Sequence, residues 1–273
     1  MSLARKLFLG AFLLMAVFFA FLVFSPQPPH DHLVLNQIEE AQSVYSPHFE
    51  IPEVAVPVLA QDQKYAFLTF DDGPSRNTDQ ILDILNAYGV PGTFFVVGHS
   101  INGRNDSQRL LQRILDEGHY IGLHSMSHQA QALYYEDEAA SHFLEEMSAL
   151  QLLVYDLTGG FQSSLCRAPY GTVGTFTESH FDAITASPLR CWDWNVDSSD
   201  WELESVEELM EKVQFDLLHR QHSNHAVILF HEQDITIEAL PLVIEYLLSE
   251  GFELRVYDPE RHFPLNFLDL PDL

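Results

Sequence analysis

From residue 64 to residue 256 the chain alternates short β-rich runs with longer amphipathic stretches, and this alternation limits the fold more than any other property of the sequence. The β-rich runs fall at 65–70, 93–97, 120–123, 161–166, 189–192, 226–230 and 252–256. Between them, 78–88 carries Ile81, Leu82, Ile84 and Leu85, and 107–117 carries Leu110, Leu111, Ile114 and Leu115; each spacing puts its set on one face of a helix. Gly89 and Gly118 stand where helix C-caps are expected. Further helices are expected at 136–157, 176–187, 205–218 and 236–249. Seven strands with interleaved helices predict an α/β fold, a parallel sheet with outer helices, closed or nearly closed into a barrel.

The segment before this pattern reads differently. Residues 7–24 are an unbroken apolar run of 18, preceded by Arg5 and Lys6. As a helix it would be about 27 Å long, enough to span a bilayer core. A cleaved signal peptide is the alternative, but Val23-Phe24-Ser25 is only a passable cleavage site and Pro26 just after it should hinder processing. Residues 1–25 are therefore expected to stay as a transmembrane anchor or uncleaved signal, with the basic N-terminus in the cytoplasm and the rest outside it, periplasmic or at the cell surface. Cleavage would make the protein secreted. Residues 26–63 hold Pro26, Pro28, Pro29, Pro47, Pro52 and Pro57 with little periodicity, the signature of an extended stalk.

The 273 residues, 47% of them apolar, can build one large domain plus an appendage. A formal net charge of −27 excludes nucleic acid as a partner and disfavours a polyanionic substrate, so a neutral glycan fits better. Cys166 and Cys191 each close an apolar run. On adjacent parallel strands of an exported chain they could form a disulfide; two buried thiols are the equal alternative.

Five polar clusters lie at or just past the C-terminal ends of predicted strands, the rim where reactive side chains of an α/β barrel converge. Asp71 and Asp72 precede Gly73-Pro74; an Asp-Gly pair is an ordinary turn signal, but this one stands where a hard metal ligand and a base are both wanted. His124 and His128 are four apart, which places two imidazoles on one side at metal-ligand distance, although a chain with 14 histidines yields such pairs by chance. Arg167 would hold a neighbouring Asp71 ionised, since an opposite charge within about 4–6 Å lowers a carboxyl pKa. Asp200 is placed to accept from an imidazole N–H, and Trp201 offers a flat face to a sugar; Trp194 and Trp201 are otherwise core aromatics. His231 ends an apolar run as either a satisfied core histidine or a proton donor. His219, His222 and His225 form a denser group with no matching carboxylate and read as surface residues.

Taken in order, these motifs resemble the NodB-homology polysaccharide deacetylases, carbohydrate esterase family 4, over 64–257, with 258–273 left as a C-terminal tail. The resemblance implies a distorted seven-stranded (β/α) barrel and one divalent ion, zinc foremost with cobalt, nickel or manganese as alternatives. Asp72, His124 and His128 would bind it. Asp71 would be the base on the attacking water, Arg167 its tuner, His231 the acid that protonates the leaving amine, and Asp200 the partner of His231. The Tyr170 backbone N–H would help hold the oxyanion, and Leu229, Trp194 and Trp201 would line the acetyl and sugar pocket. Base and acid are expected on opposite sides of the barrel mouth. Ala168 stands where many relatives carry a second proline.

The activity this implies is hydrolysis of an N-acetyl amide, a non-peptide carbon–nitrogen bond, on an amino-sugar polysaccharide or oligosaccharide, with release of acetate. Two alternatives remain at this point. One is an O-acetyl esterase on a neutral polysaccharide such as acetylxylan; the other is a catalytically silent, membrane-tethered glycan-binding domain.

Overall fold

The computed structural model of the protein describes residues 63–220, 224–268 and 270–271. The expected anchor, and the stalk up to residue 62, lie outside the described residues. Among the described residues no helix is long and apolar enough to cross a membrane.

The strands are β1 (Lys64–Gly73), β2 (Thr93–Val96), β3 (Tyr120–Leu123), β4 (Leu165–Cys166), β5 (Arg190–Cys191), β6 (Val196–Asp197), β7 (His225–His231) and β8 (Phe252–Leu254). Around them run α1 (Thr78–Tyr88), α2 (Gly98–Asn102), α3 (Ser107–Asp116), α4 (Ala139–Thr158), α5 (Glu178–Thr185), α6 (Val206–His219) and α7 (Asp234–Ser249). The order across the sheet is β5-β4-β3-β2-β1-β7-β6, every pairing is parallel, and β8 pairs with the foot of β1.

This is a curled half-barrel, not a closed one. Its end strands β5 and β6 are not paired with each other, and beyond β5 the chain's own tail bridges Trp192 through Leu265. The count also differs from the expected seven. Strand β6 holds two residues and offers no periodicity to read, and α2 is a five-residue turn. The expected strand at 161–166 shrinks to Leu165–Cys166 because Ser163 and Ser164 donate their backbone N–H groups to Gln151 Oε1 and Tyr120 Oη. Helix α4 begins at Ala139 because Glu138 sits in the left-handed region at φ 62°, behind a π turn at Gln131–Tyr135.

Alternation along each long strand divides the interior into two layers. On β1, Ala66, Leu68 and Phe70 face the helices, and Phe70 stacks with Phe94 of β2 and Phe230 of β7 at 5.0 and 5.8 Å. Each such pair is worth about 0.5–1.5 kcal/mol beyond its buried area. The opposite face of β1 carries Phe67, Thr69 and Asp71. Phe67 joins Phe95, Trp192, Val227, Tyr257 and Leu265 in an aromatic plug that fills the concave side. Above this plug the lumen turns polar, which is where the site begins.

Cys166 and Cys191 are direct partners across β4 and β5, both buried and both thiols. His225 is no surface residue: it lies half-buried in β7, stacked on Phe263 at 4.3 Å and Tyr65 at 5.5 Å. His219 is exposed, and His222 lies outside the described residues.

Candidate active site

Nine of the eleven residues singled out from the sequence line one cleft of about 450 Å³; only Arg167 and Asp200 stand behind it. The pairing of β1 with β7 fixes its inner wall, setting Thr69 against Leu229 and Asp71 against His231 on the lumen face. Asp71 and His231 are thus neighbours in register, not residues facing each other across the mouth. The expectation of opposite sides fails because the sheet order, in which β7 returns after five intervening strands to lie directly beside β1, makes the two residues neighbours.

A bulge between Asp71 and Gly73 breaks the alternation of β1, and Asp72 takes a left-handed backbone at φ 69°. Consecutive carboxylates on a regular strand would point to opposite faces; the bulge lets both reach the cleft. Gly73 is required by its surroundings, since a Cβ there would lie 2.2 Å from Glu232 Oε1. Glu232 itself is buried and accepts from the Ser75 backbone N–H at 2.8 Å and Thr78 Oγ1 at 2.5 Å. It clamps the loop after Asp72 to the end of β7, a role that no sequence motif announces.

The two histidines follow β3 on a kinked loop in which Ser125 and His128 adopt φ 71° and 57°. Ser125 Oγ accepts from the His128 N–H, and Glu146 of α4 accepts from Ser127 through both backbone and hydroxyl. His124 donates its Nδ1–H to the Arg167 carbonyl at 2.9 Å, which leaves Nε2 with a free lone pair. Burial lowers the His124 pKa to about 3, so the ring is neutral.

Asp72, His124 and His128 offer three ligand atoms within 4.8 Å of one another. The Asp72 Oδ1 lies 3.3 Å from His128 Nε2 and 3.7 Å from His124 Nε2. Ligands held about 2.0–2.2 Å from a tetrahedral centre are themselves roughly 3.3 Å apart, so the group fits a small divalent ion. Two imidazoles and one carboxylate, with Asp72 half exposed, also leave room for further ligands from solvent or substrate.

Arg167 is fully buried and spends its donors inside the lumen. Its Nη1 donates to Asp71 Oδ1 and Thr69 Oγ1, both at 2.8 Å, while Nε and Nη2 reach the carbonyls of Trp192 and Asp193. Its guanidinium also lies 4.1 Å above the Phe95 ring. Burial raises the Asp71 pKa, and the charges of Arg167 and His231 oppose that rise without reversing it. The expectation that Arg167 would set a low Asp71 pKa omitted this desolvation. The result is a carboxylate more basic than an exposed one, yet oriented by a fixed cation.

His231 Nδ1–H donates to Asp200 Oδ1 at 2.8 Å, and Asp200 Oδ2 accepts from the His231 backbone N–H at 2.6 Å and from Thr236 Oγ1 at 2.5 Å. Burial by itself would lower the His231 pKa, but the hydrogen bond and charge of Asp200, helped by Asp71 and Asp72, carry it up to about 9. The ring is an imidazolium near neutral pH with Nε2–H left to donate.

The outer walls are aromatic. Tyr170 sits at φ 67° with its ring 4.8 Å from His128, and its hydroxyl donates to the His128 carbonyl. Trp194 is half-buried and Trp201 exposed, both on the cleft and neither in the core. The cluster holding Asp200 and Trp201 follows β6, not the predicted strand at 189–192. Asp197 and Gln233 also line the cleft. Asp197 stands three residues before Asp200 in the same polar cluster and had no role assigned to it, and Gln233 carried no signal beyond following His231.

Comparison with known proteins places the chain in a family. The polysaccharide deacetylase family profile matches residues 59–187. Among curated relatives, the peptidoglycan-N-acetylglucosamine deacetylase of Bacillus cereus is 32% identical over 210 residues, covering 76% of this chain and 74% of its own length. A solved polysaccharide deacetylase of Bacillus cereus superposes with a TM-score of 0.69 at 31% identity, over 77% of this chain and all of that one. A carbohydrate esterase family 4 esterase of Streptococcus mutans gives 0.66 at 30% identity, over 72% and 87%. The chain belongs to the polysaccharide deacetylases of carbohydrate esterase family 4, the NodB-homology family.

Proposed function

We propose that this protein is a metal-dependent hydrolase that removes N-acetyl groups from the amino sugars of a polysaccharide, releasing acetate and a free amine. The observation that carries the reading is the meeting, in one cleft, of a ligand triad, a buried carboxylate tuned by Arg167 and an imidazolium tuned by Asp200. A glycan containing N-acetylglucosamine is the substrate we favour, because the Bacillus cereus relative is named for that activity and the aromatic walls suit a neutral sugar.

Asp72, His124 and His128 would hold the ion. When bound, a divalent cation supplies Lewis acidity that polarises the acetyl carbonyl and acidifies water. Asp71 takes a proton from the attacking water, a task suited to a desolvated carboxylate that Arg167 keeps aimed at the cleft. The Tyr170 N–H donates to the developing oxyanion. As the carbon–nitrogen bond breaks, His231 gives its Nε2 proton to the departing nitrogen, and Asp200 steadies the ring in the required tautomer. Leu229 packs on the acetyl methyl group, with Trp194 and Trp201 against the sugar. Residues 1–25 anchor this domain at a membrane and 26–63 act as a stalk, so that catalysis takes place outside the cytoplasm.

The activity is tested by incubating the purified protein with N-acetylglucosamine oligomers and measuring acetate and free amine. Equal release of both is expected. Cell fractionation tests the placement, with the protein expected in the membrane fraction and open to added protease.

A further inference from the structure

Residues after Tyr257 carry none of the five motifs, yet the polypeptide there returns to the cleft. Leu265 pairs with Trp192, the Asp193 N–H donates to the Leu265 carbonyl at 2.8 Å, and the Phe267 N–H donates to Asp193 Oδ2 at 2.9 Å. Asp193 is a fully buried carboxylate, and its remaining acceptor capacity goes to the backbone N–H and hydroxyl of Thr172. A buried carboxylate is costly unless hydrogen bonds satisfy it, so the tail and the loop bearing Tyr170 are tied to one point. That point is itself tied to the catalytic carboxylate, because Arg167 Nη2 donates to the Asp193 carbonyl.

The tail makes a built turn at Asn266. Asn266 is buried; its Oδ1 accepts from the Leu268 and Leu270 N–H groups and its Nδ2 donates to the Leu270 carbonyl. At the tip of this turn stand two apolar side chains, Phe267 and Leu268, exposed by 42% and 47%. Phe267 meets Trp194 edge to face at 4.9 Å, and Trp194 lines the cleft. Gly171 completes the approach, since a Cβ there would lie 2.8 Å from Phe267 Cε2 and 3.1 Å from Trp194 Cη2, and its φ of 80° favours glycine as well. The Phe267 ring is thus exposed, held edge to face against a residue of the cleft wall, and extends that wall outward beside a glycine that leaves room for it.

We infer that Phe267, with Leu268 beside it, is a substrate-contacting residue: an aromatic platform for a sugar next to the one whose acetamide enters the cleft. The inference rests on the glycan reading of the site and deepens it, for it makes the protein prefer a chain of sugars over a single unit, with Phe267 as the residue responsible. Trp194 and Phe267 together then form a continuous apolar wall from the reacting sugar to its neighbour.

The test compares a dimer and a hexamer of N-acetylglucosamine with the wild-type protein, Phe267→Ala and Phe267→Trp. Phe267→Ala should raise KM for the hexamer roughly five- to tenfold while kcat changes little, the loss expected for one good aromatic contact. The dimer should be affected several-fold less, and Phe267→Trp should restore the hexamer. Equal losses on both substrates, carried in kcat, would mean that Phe267 only buttresses Trp194 and would overturn the inference, as would no loss on either. Tryptophan fluorescence titration with the same oligomers separates this claim from the proposed reaction. If the wild type binds the hexamer in a Phe267-dependent way but releases no acetate, the platform stands and deacetylation falls. Wild-type protein that neither binds nor turns over the oligomers would sink both.

Discussion

The two halves of the site are built on different backbones. Asp71, Arg167, Leu229 and His231 lie on or directly after paired strands, with Asp71, Leu229 and Arg167 buried and their partners within ordinary hydrogen-bonding distance. Asp72 sits in the bulge at the end of β1 and His128 and Tyr170 on loops; each is in the left-handed region and partly to mostly exposed. Left-handed backbone is uncommon outside glycine and costs of order 1–3 kcal/mol, so it persists where surrounding structure imposes it. Here the braces are Glu232, Ser125 and Glu146. The strand half handles protons and needs fixed pKa values; the loop half presents the lone pairs of Asp72 and His128 and the N–H of Tyr170, and needs direction. The contrast separates residues whose loss should change rate from residues whose loss should empty the site.

The largest effect is expected from the loop half. Asp72→Asn should abolish both metal retention and turnover, as measured by metal analysis and acetate release on the same preparation. Asp71→Asn should keep the metal and lose rate, and His231→Ala should do likewise, each by roughly 10²- to 10⁴-fold for general acid–base terms. An O-acetyl ester should tolerate His231→Ala better, because its leaving oxygen needs less protonation. If Asp71→Asn lost metal as completely as Asp72→Asn, the division between the two halves would collapse.

Arg167→Met should destabilise the fold by about 3–5 kcal/mol, since it strands the Asp71 carboxylate in a buried position, and chemical denaturation would show it. A pH series isolates His231 next. With its pKa raised to about 9, the imidazolium stabilises the metal-free fold fully below the ordinary histidine value near 6.5, and that contribution is lost as pH rises through about 9. Metal-free wild type should therefore lose stability across that interval relative to His231→Gln. The smallest effect is expected from Glu146→Gln, about 1 kcal/mol from weakened bonds to Ser127, with a modest fall in metal affinity.

This same division governs how much could be read without a structure. The runs at 65–70 and 226–230 were legible as strands and put Asp71 and His231 at the rim, but the sequence reading set them on opposite sides, because neither run encodes the strand order that lays β7 beside β1. The loop ligands were legible only as motifs, because no period describes a bulge or a left-handed turn. Strand β6 and the tail were invisible for a related reason. Two residues carry no pattern, and the tail's attachment depends on Asp193, whose importance lies in hydrogen bonds to Thr172 and Phe267 far away in sequence. Desolvation of Asp71 was equally hidden, since burial is a property of the assembled lumen.

The most direct measurement is acetate release from an N-acetylglucosamine oligomer before chelation, after chelation, and after zinc is added back. Acetate and free amine are expected in equal amounts, lost with the metal and restored by it. Turnover that survives complete metal removal, or a metal-loaded protein that frees no acetate from any acetylated glycan, would contradict metal-dependent deacetylation.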